Sequence, residues 1–358
     1  MTRILENETA ALERFYGDVA AAGLQPLWTQ TRDLMTPSPR GGTRAHRWPW
    51  ETLAALAHRS GDLIPIERGG ERRVLALANP GLGGLPFATS TLWAAVQFLG
   101  PRETAPAHRH SPGAVRFVLQ GEGVWTSVDG DPCPMSPGDL VLTPGGTWHE
   151  HHNPGDGTMI WFDGLDLPMV AALDAVFFET GDDAVPNTAA PARSPGESLH
   201  GHPGLRPDGV PAPAGRSPLS VYRRAHTDAA LTDLAAHRPD APSVGVTFTD
   251  PATGRDVLAT MRCRMERLRP GARTATTRTV GSSVRVAFSG RGTTTVDGET
   301  FAWGPGDMIT VPSWTAVDHR ADDSGPDDGE PADVFVLSDA PVLEALRLDR
   351  HVVVDPQP

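Results

Sequence analysis

Ala105-Pro106-Ala107-His108-Arg109-His110 and Thr147-Trp148-His149-Glu150-His151 decide the reading of this chain, with His149 standing 39 residues after His110. On an extended strand, residues i and i+2 point to the same face. His108 and His110 therefore aim two imidazoles into one space, and His149 and His151 repeat the arrangement on a later segment. Between the two pairs, Gly121-Glu122-Gly123, Asp129-Gly130 and Pro137-Gly138-Asp139 are turn signals separating short apolar runs. Converging imidazoles inside a small β-barrel suit a divalent transition metal. The other reading, histidines used for packing or left on the surface, fits one His-x-His better than two at barrel spacing.

The region repeats. Residues 116–123 align with residues 285–292 at a constant shift of 169. After a one-residue gap, Val128-Asp129-Gly130 aligns with Val296-Asp297-Gly298, Pro137-Gly138-Asp139 with Pro305-Gly306-Asp307, and Thr143-Pro144 with Val311-Pro312. Gly-Asp turns are common to β-proteins, but their collinear order argues for a duplication and two similar barrels. The copies differ where chemistry would sit. Thr277-Arg278-Thr279 stands in place of His108-Arg109-His110, and Val317 replaces His149, while Asp318 and His319 match Glu150 and His151. Hydroxyls and a valine do not hold a borderline metal as imidazoles do. One metal-binding barrel and one structural barrel are expected.

Composition narrows the class. A chain of 358 residues suffices for two ordinary domains. The net charge of −13, with no long basic run, argues against nucleic-acid binding. Cys133 and Cys263 are far apart and form no Cys-x-x-Cys, so neither a disulfide framework nor a zinc knuckle is indicated. No apolar run approaches the roughly 18 residues of a membrane span, and residues 1–22 lack the apolar core of a signal peptide. A cytoplasmic protein without membrane or nucleic-acid partners is expected.

Residues 4–22 read as an amphipathic helix with Leu5, Leu12, Phe15, Tyr16 and Val19 on one side, and residues 49–60 as a second. Strand-like runs begin near Arg73, residues 167–178 look helical, and residues 341–348 suggest a last short helix. Residues 183–220 carry eight prolines and few large apolar side chains, which reads as a linker or a poorly ordered loop. The expected division is a helical arm over residues 1–70, a metal-binding barrel over 71–182, the linker over 183–220 and a barrel with a degenerate metal site over 221–358.

The order His-x-His, Pro-Gly-Asp and a later His resembles the cupins. Many cupins carry a Glu shortly after His-x-His; here Ser111-Pro112-Gly113-Ala114-Val115 has no carboxylate. The chain is similar to the bicupin gentisate 1,2-dioxygenase family, which includes salicylate and 1-hydroxy-2-naphthoate dioxygenases. Stretches carrying the resemblance include Gly23-Leu24-Gln25-Pro26-Leu27-Trp28, Asn79-Pro80-Gly81, Thr91-Leu92-Trp93-Ala94, Trp161-Phe162-Asp163-Gly164-Leu165-Asp166 and Asp339-Ala340-Pro341-Val342. The resemblance implies an all-β-dominated bicupin: two double-stranded β-helix (jelly-roll) barrels with a few flanking helices. It also implies a ring-cleaving dioxygenase whose Fe(II) is held by His108, His110 and His149. Spacing alone does not choose His149 over His151, nor iron over zinc, copper or nickel; the family pattern does.

The implied substrate is a 2-hydroxybenzoate-type acid, gentisate first, opened with O2 to maleylpyruvate; salicylate and 1-hydroxy-2-naphthoate are the alternatives. A substrate carboxylate matches the fork of an arginine. Arg116 and Arg72 stand at matching family positions, and Arg116 shares strand parity with the histidines and is expected to face inward. Arg72 is either a second carboxylate contact or a solvated side chain. His151 is an acid/base or hydrogen-bond donor to oxygen, or a residue that only orients its neighbours. Trp93, Gln97 and Asp163 match pocket positions, with Trp93 packing a ring and Asp163 meeting a polar substituent or an arginine. Pro112-Gly113 and Gly145-Gly146 depart from the family's usual residues beside the ligands, the latter pair leaving room for a larger pocket. A homo-oligomer, dimer or tetramer, is expected. The rival functions are a non-catalytic small-acid sensor and a non-oxidative cupin isomerase; no helix-turn-helix segment supports a regulator.

Overall fold

A computed structural model describes residues 2–66, 73–181, 188–213, 215–323 and 331–354. Two units separate, Met1–Arg40 and Gly41–Pro358. The first contains the helices Thr2–Ala21 and Leu27–Leu34. Phe15 stacks on Trp28 with ring centroids 6.4 Å apart, and Trp28 Nε1 donates to the Tyr16 hydroxyl at 3.2 Å. The apolar side foreseen for the first helix is not fully covered, since Leu12 and Phe15 remain exposed.

The second unit is built from four antiparallel sheets, two per copy of the repeat. In the first copy a six-stranded sheet runs in the order Val221–Tyr222, Leu140–Thr143, Ala114–Gln120, Met159–Leu165, Trp93–Leu99, Arg73–Ala76. It faces a five-stranded sheet in the order Phe178–Thr180, Thr104–His110, His149–His152, Trp125–Val128, Asp131–Pro134. The second copy repeats both. His46–Trp48, Met308–Val311, Ser283–Ser289, Ala332–Ser338, Arg262–Leu268 and Ser243–Thr247 form one sheet. Glu299–Trp303, Gly292–Val296, Val317–Ala321, Thr277–Thr279 and His351–Val353 form the other. The two similar barrels foreseen from the repeat are present, each made of paired sheets as the family resemblance implied.

The copies exchange their first strands. His46–Trp48 precedes the first barrel yet pairs with Met308–Val311 of the second, and Val221–Tyr222 precedes the second barrel yet pairs with Leu140–Thr143 of the first. The Pro-Gly-Asp turns lock this exchange. Asp307 accepts from the Trp50 amide at 2.7 Å, at the start of the helix Trp50–Leu63, and pairs with Arg47. Asp139 accepts from the Arg224 amide at 2.8 Å, at the start of the helix Arg224–His237, and pairs with Arg223. A carboxylate at a helix N-terminus satisfies an orphan N–H and meets the positive end of the dipole. The helix Arg224–His237 was not foreseen from the sequence.

Alternating residues of the strands feed different cores. Leu99, Val118, Val141 and Trp161 form an inner cluster of the first barrel. Ala94, Val96, Phe98, Val115, Phe117, Ile160 and Phe162 point the other way and pack against Met265, Val286, Phe335 and Leu337 of the second copy. Phe117 and Phe335 stack with centroids 4.4 Å apart and planes 6° from parallel. Both are fully buried, and each such side chain contributes about 1.5–3 kcal/mol of transfer free energy. The two copies thus share one core through the backs of their larger sheets.

Two local expectations change. The apolar run over residues 167–178 is helical only over Leu167–Ala172. Asp174 takes a positive φ of 55°, and Phe178–Thr180 then pairs with His108–His110 as a strand. Satisfying the edge of the ligand strand prevails over helical periodicity here. The second copy does the same, with the helix Ala340–Ala345, Arg347 at φ 57° and the strand His351–Val353. The proline-rich segment is fastened to the first barrel. Ser194 caps a short helix, Pro195–His200, and also bonds Asp131, while Arg223 pairs with Glu197.

Candidate metal centre

The strands Thr104–His110 and His149–His152 lie side by side, with His108 opposite His149. Their register slips by one residue between Ala105 and His108. Such a bulge re-aims the side chains that follow it. The rings of His108 and His149 stand 4.2 Å apart, those of His110 and His149 4.9 Å. One nitrogen from each of the three histidines lies within 4.8 Å of the others.

The outer nitrogens explain the orientation. Nδ1 of His108 meets the Pro106 carbonyl at 2.8 Å, Nδ1 of His110 the Pro112 carbonyl at 2.7 Å, and Nδ1 of His149 the Thr147 carbonyl at 3.0 Å. A carbonyl only accepts, so each Nδ1 carries the proton and each Nε2 keeps its lone pair for a metal. Nε2 of His149 is buried with no hydrogen-bond partner, which a metal bond would answer. Burial first, then the Arg116 charge and the neighbouring imidazoles, hold His149 well below the usual histidine range. Neutral imidazole is the form that ligates. The donor set and its geometry therefore fit a transition metal held by His108, His110 and His149.

His151 is not oriented as the other three are. Its Nδ1 lies 2.8 Å from Thr126 Oγ1, and its ring lies 5.3 Å from Trp161 and 6.1 Å from His149. Burial and the Arg116 charge also keep it neutral. Arg116 lies on the inner wall, with its side chain 4% exposed and Nε 3.4 Å from Asp163 Oδ1. Its Nη1 donates to Thr143 Oγ1 at 2.5 Å, and Asp163 also accepts from Trp161 Nε1 at 3.1 Å. Burial pushes the Asp163 carboxyl up to about 6 against the pull of Arg116. Gln97 pairs in register with Trp161, and Trp93 with Leu165, on the same wall as Arg116 and Asp163. Arg72 lies outside the described residues.

The sequence reading passed over Thr126, Thr143, Trp161 and Phe178, whose ring stacks on His108 at 5.5 Å. Thr126 had a signal. Thr294 bonds His319 at 2.9 Å in the second copy, at the repeat's own offset. Gly145 has a packing reason, because a Cβ there would lie 2.2 Å from the Ser111 carbonyl oxygen. In the second copy Thr277 faces Val317 as His108 faces His149. Arg285 there pairs with Glu266 at 2.7 Å, and Trp303 bonds Thr294.

The fold and this site define a duplicated cupin whose first barrel brings together three histidines that could hold a metal ion. A cupin domain family model matches residues 95–165. The chain is 51% identical to a gentisate 1,2-dioxygenase of Streptomyces sp., over 96% of both chains. It is 38% identical to a 5-aminosalicylate 1,2-dioxygenase of Comamonas sp., over 95% of this chain and 90% of the relative. A crystal structure of salicylate 1,2-dioxygenase from Pseudoaminobacter salicylatoxidans, an adduct with gentisate, superposes with a TM-score of 0.90 at 45% identity, covering 97% of this chain and 94% of that one. The chain belongs to the gentisate 1,2-dioxygenase family, as its motifs foretold.

Proposed function

We propose that the protein is an Fe(II)-dependent dioxygenase that opens a 2-hydroxybenzoate-type ring between the carboxyl-bearing and hydroxyl-bearing carbons, converting gentisate and O2 to maleylpyruvate. The observation that carries this reading is the set of three Nδ1–carbonyl bonds, which turn three Nε2 lone pairs to one point beside a buried arginine. The kinship with gentisate and salicylate dioxygenases supports iron and the substrate class. Iron(II) bound there supplies Lewis acidity and one-electron access to O2.

This chain's residues do the rest. Arg116 binds the substrate carboxylate, drawing its guanidinium away from Asp163. Asp163 and Gln97 meet polar substituents, and Trp93 packs against the ring. His151, kept neutral and tied to Thr126, holds or supplies a proton at Nε2 toward oxygen. The buried wall of Val118, Val141 and Trp161 excludes water. Oxygen uptake by iron-loaded protein over a panel of aromatic acids tests the reading, with gentisate the fastest.

The division into an arm, two barrels and a linker remains our reading of the chain's organisation. Assembly into a dimer or tetramer is supported by exposed apolar side chains, Leu24, Leu27, Trp28 and Met35 in the first unit and Leu173, Val176, Phe177 and Phe178 in the second. Among the described residues no helix is long and apolar enough to cross a membrane; a cytoplasmic location is proposed with the function.

A further inference from the structure

The turn after His110 is held from the other copy of the repeat. Pro112 offers its carbonyl to His110 Nδ1 at 2.7 Å. The N–H of the same peptide unit, on Gly113, donates to Asp166 Oδ1 at 2.9 Å. The other oxygen of that carboxylate, Oδ2, accepts from Thr260 Oγ1 at 2.5 Å. Thr260 belongs to the second copy and lies just before the strand Arg262–Leu268. Asp166 is buried, and burial raises its carboxyl against the pull of the Thr260 and Gly113 bonds.

A peptide unit is planar, so anchoring the Gly113 N–H fixes the direction of the Pro112 carbonyl. That carbonyl in turn sets the tautomer and the plane of the His110 ring. Partners of this kind tune both ligand orientation and basicity. The turn has little slack elsewhere, because the Gly146 amide holds the His110 carbonyl at 2.8 Å and Ser111 exchanges bonds with Phe177.

The same device exists in mirror image. Thr91 of the first copy donates to Asp339 Oδ2 at 2.6 Å, and Asp339 Oδ1 accepts from the Ser282 amide at 2.9 Å. Thr91 and Thr260, like Gly113 and Ser282, are related by the repeat's shift of 169. In the mirror the position of His110 is taken by Thr279. The two relays are chemically alike, and only one ends on a metal ligand.

We infer that Thr260 is a positioning residue for His110, acting through Asp166 and the Pro112–Gly113 peptide, so that the second barrel sets the geometry of the first barrel's metal centre. The inference rests on His108, His110 and His149 holding a metal, and it gives the barrel without the histidines a part in the chemistry.

The mirror supplies the control. Metal-free full-length protein is titrated with Co(II) against a chromophoric chelator, and the visible Co(II) band is recorded. T260V should bind Co(II) about 10-fold more weakly, the low end of the range for such partners, with an altered band. T260S keeps the hydroxyl and should restore both. T91V removes the equivalent bond in the other copy, and it should lower Tm as T260V does while leaving Co(II) affinity and the band unchanged. If T260V does not fold, T260A carries the same readout. Wild-type affinity and band in the Thr260 variants, or an equal loss of affinity in T91V, would overturn the inference. Failure of the unaltered protein to bind Co(II) would overturn the metal centre itself.

Discussion

Arg116 Nε lies 3.4 Å from Asp163 Oδ1, and the two side chains are 4% and 5% exposed. A guanidinium buried to this degree requires a counter-charge. Asp163 supplies it, and on the role proposed for Arg116 the substrate carboxylate would take its place in the complex. Arg116 Nε has no hydrogen-bond partner, as is also true of Arg285 Nε at the equivalent place in the second copy.

Replacing Arg116 with alanine should therefore cost substrate binding in the transition state and leave metal binding intact. Loss of one member of a buried charge pair costs about 3–5 kcal/mol, so kcat/KM should fall by a few hundred-fold or more. Steady-state kinetics paired with metal analysis checks this. Unaltered kinetics in R116A would remove Arg116 from the site.

The same pair sets a pH dependence. Burial pushes Asp163 up to about 6, above the range of an exposed aspartate. If Arg116 holds the substrate carboxylate as proposed, then below that pH the neutral acid would leave Arg116 to the substrate, and above it the ionised carboxylate would compete for the guanidinium. KM for the aromatic acid should rise as pH climbs through about 6, with kcat less affected, and D163N should flatten the rise. A KM profile in D163N that keeps the wild-type shape would assign the limb to another group.

His151 and His319 occupy equivalent places and each bonds a threonine, Thr126 and Thr294. Both are buried and neutral, His319 being pushed down to about 3 by burial and the Arg285 charge. If His151 handles a proton, H151F should lower kcat by about 100-fold or more at unchanged metal content, whereas H319F should leave kcat near wild type. Equal losses in both variants would point to packing alone.

Metal content follows the histidines. Iron-loaded protein, freed of any tag, should carry one tightly held iron per chain, and H108A or H149A should lose metal and activity together. Elemental analysis after gel filtration measures it; two irons per chain would contradict the assignment of Thr277, Thr279 and Val317 as non-ligands.

What the sequence disclosed was whatever a short period encodes. Two-residue alternation put His108 with His110 and turned Arg116 inward, and the collinear turns exposed the duplication. Long-range pairings were not legible. Nothing local ties Trp50 to Asp307 across 257 residues or Thr260 to Asp166 across 94. The strand Phe178–Thr180 was hidden because an apolar run suits a helix and a strand edge alike, and only the open side of His108–His110 decides between them. Comparing the two copies position by position reveals the Asp-x-Pro steps at Asp166 and Asp339, whose carboxylates bridge the barrels.

The central claim is ring cleavage by iron in the first barrel. Anaerobic reconstitution with Fe(II), then oxygen uptake and the absorbance of the ring-opened product with gentisate, salicylate and 1-hydroxy-2-naphthoate, tests it most directly. Gentisate carries a second electron-donating hydroxyl para to the first, which makes its ring the easier to attack. The expected result is one O2 consumed per gentisate, at a higher kcat/KM than for salicylate. Cleavage of salicylate or 1-hydroxy-2-naphthoate with gentisate untouched would overturn the substrate choice alone. No oxygen uptake with any of the three acids, in protein shown to hold iron, would contradict the claim and favour a small-acid sensor or a non-oxidative isomerase.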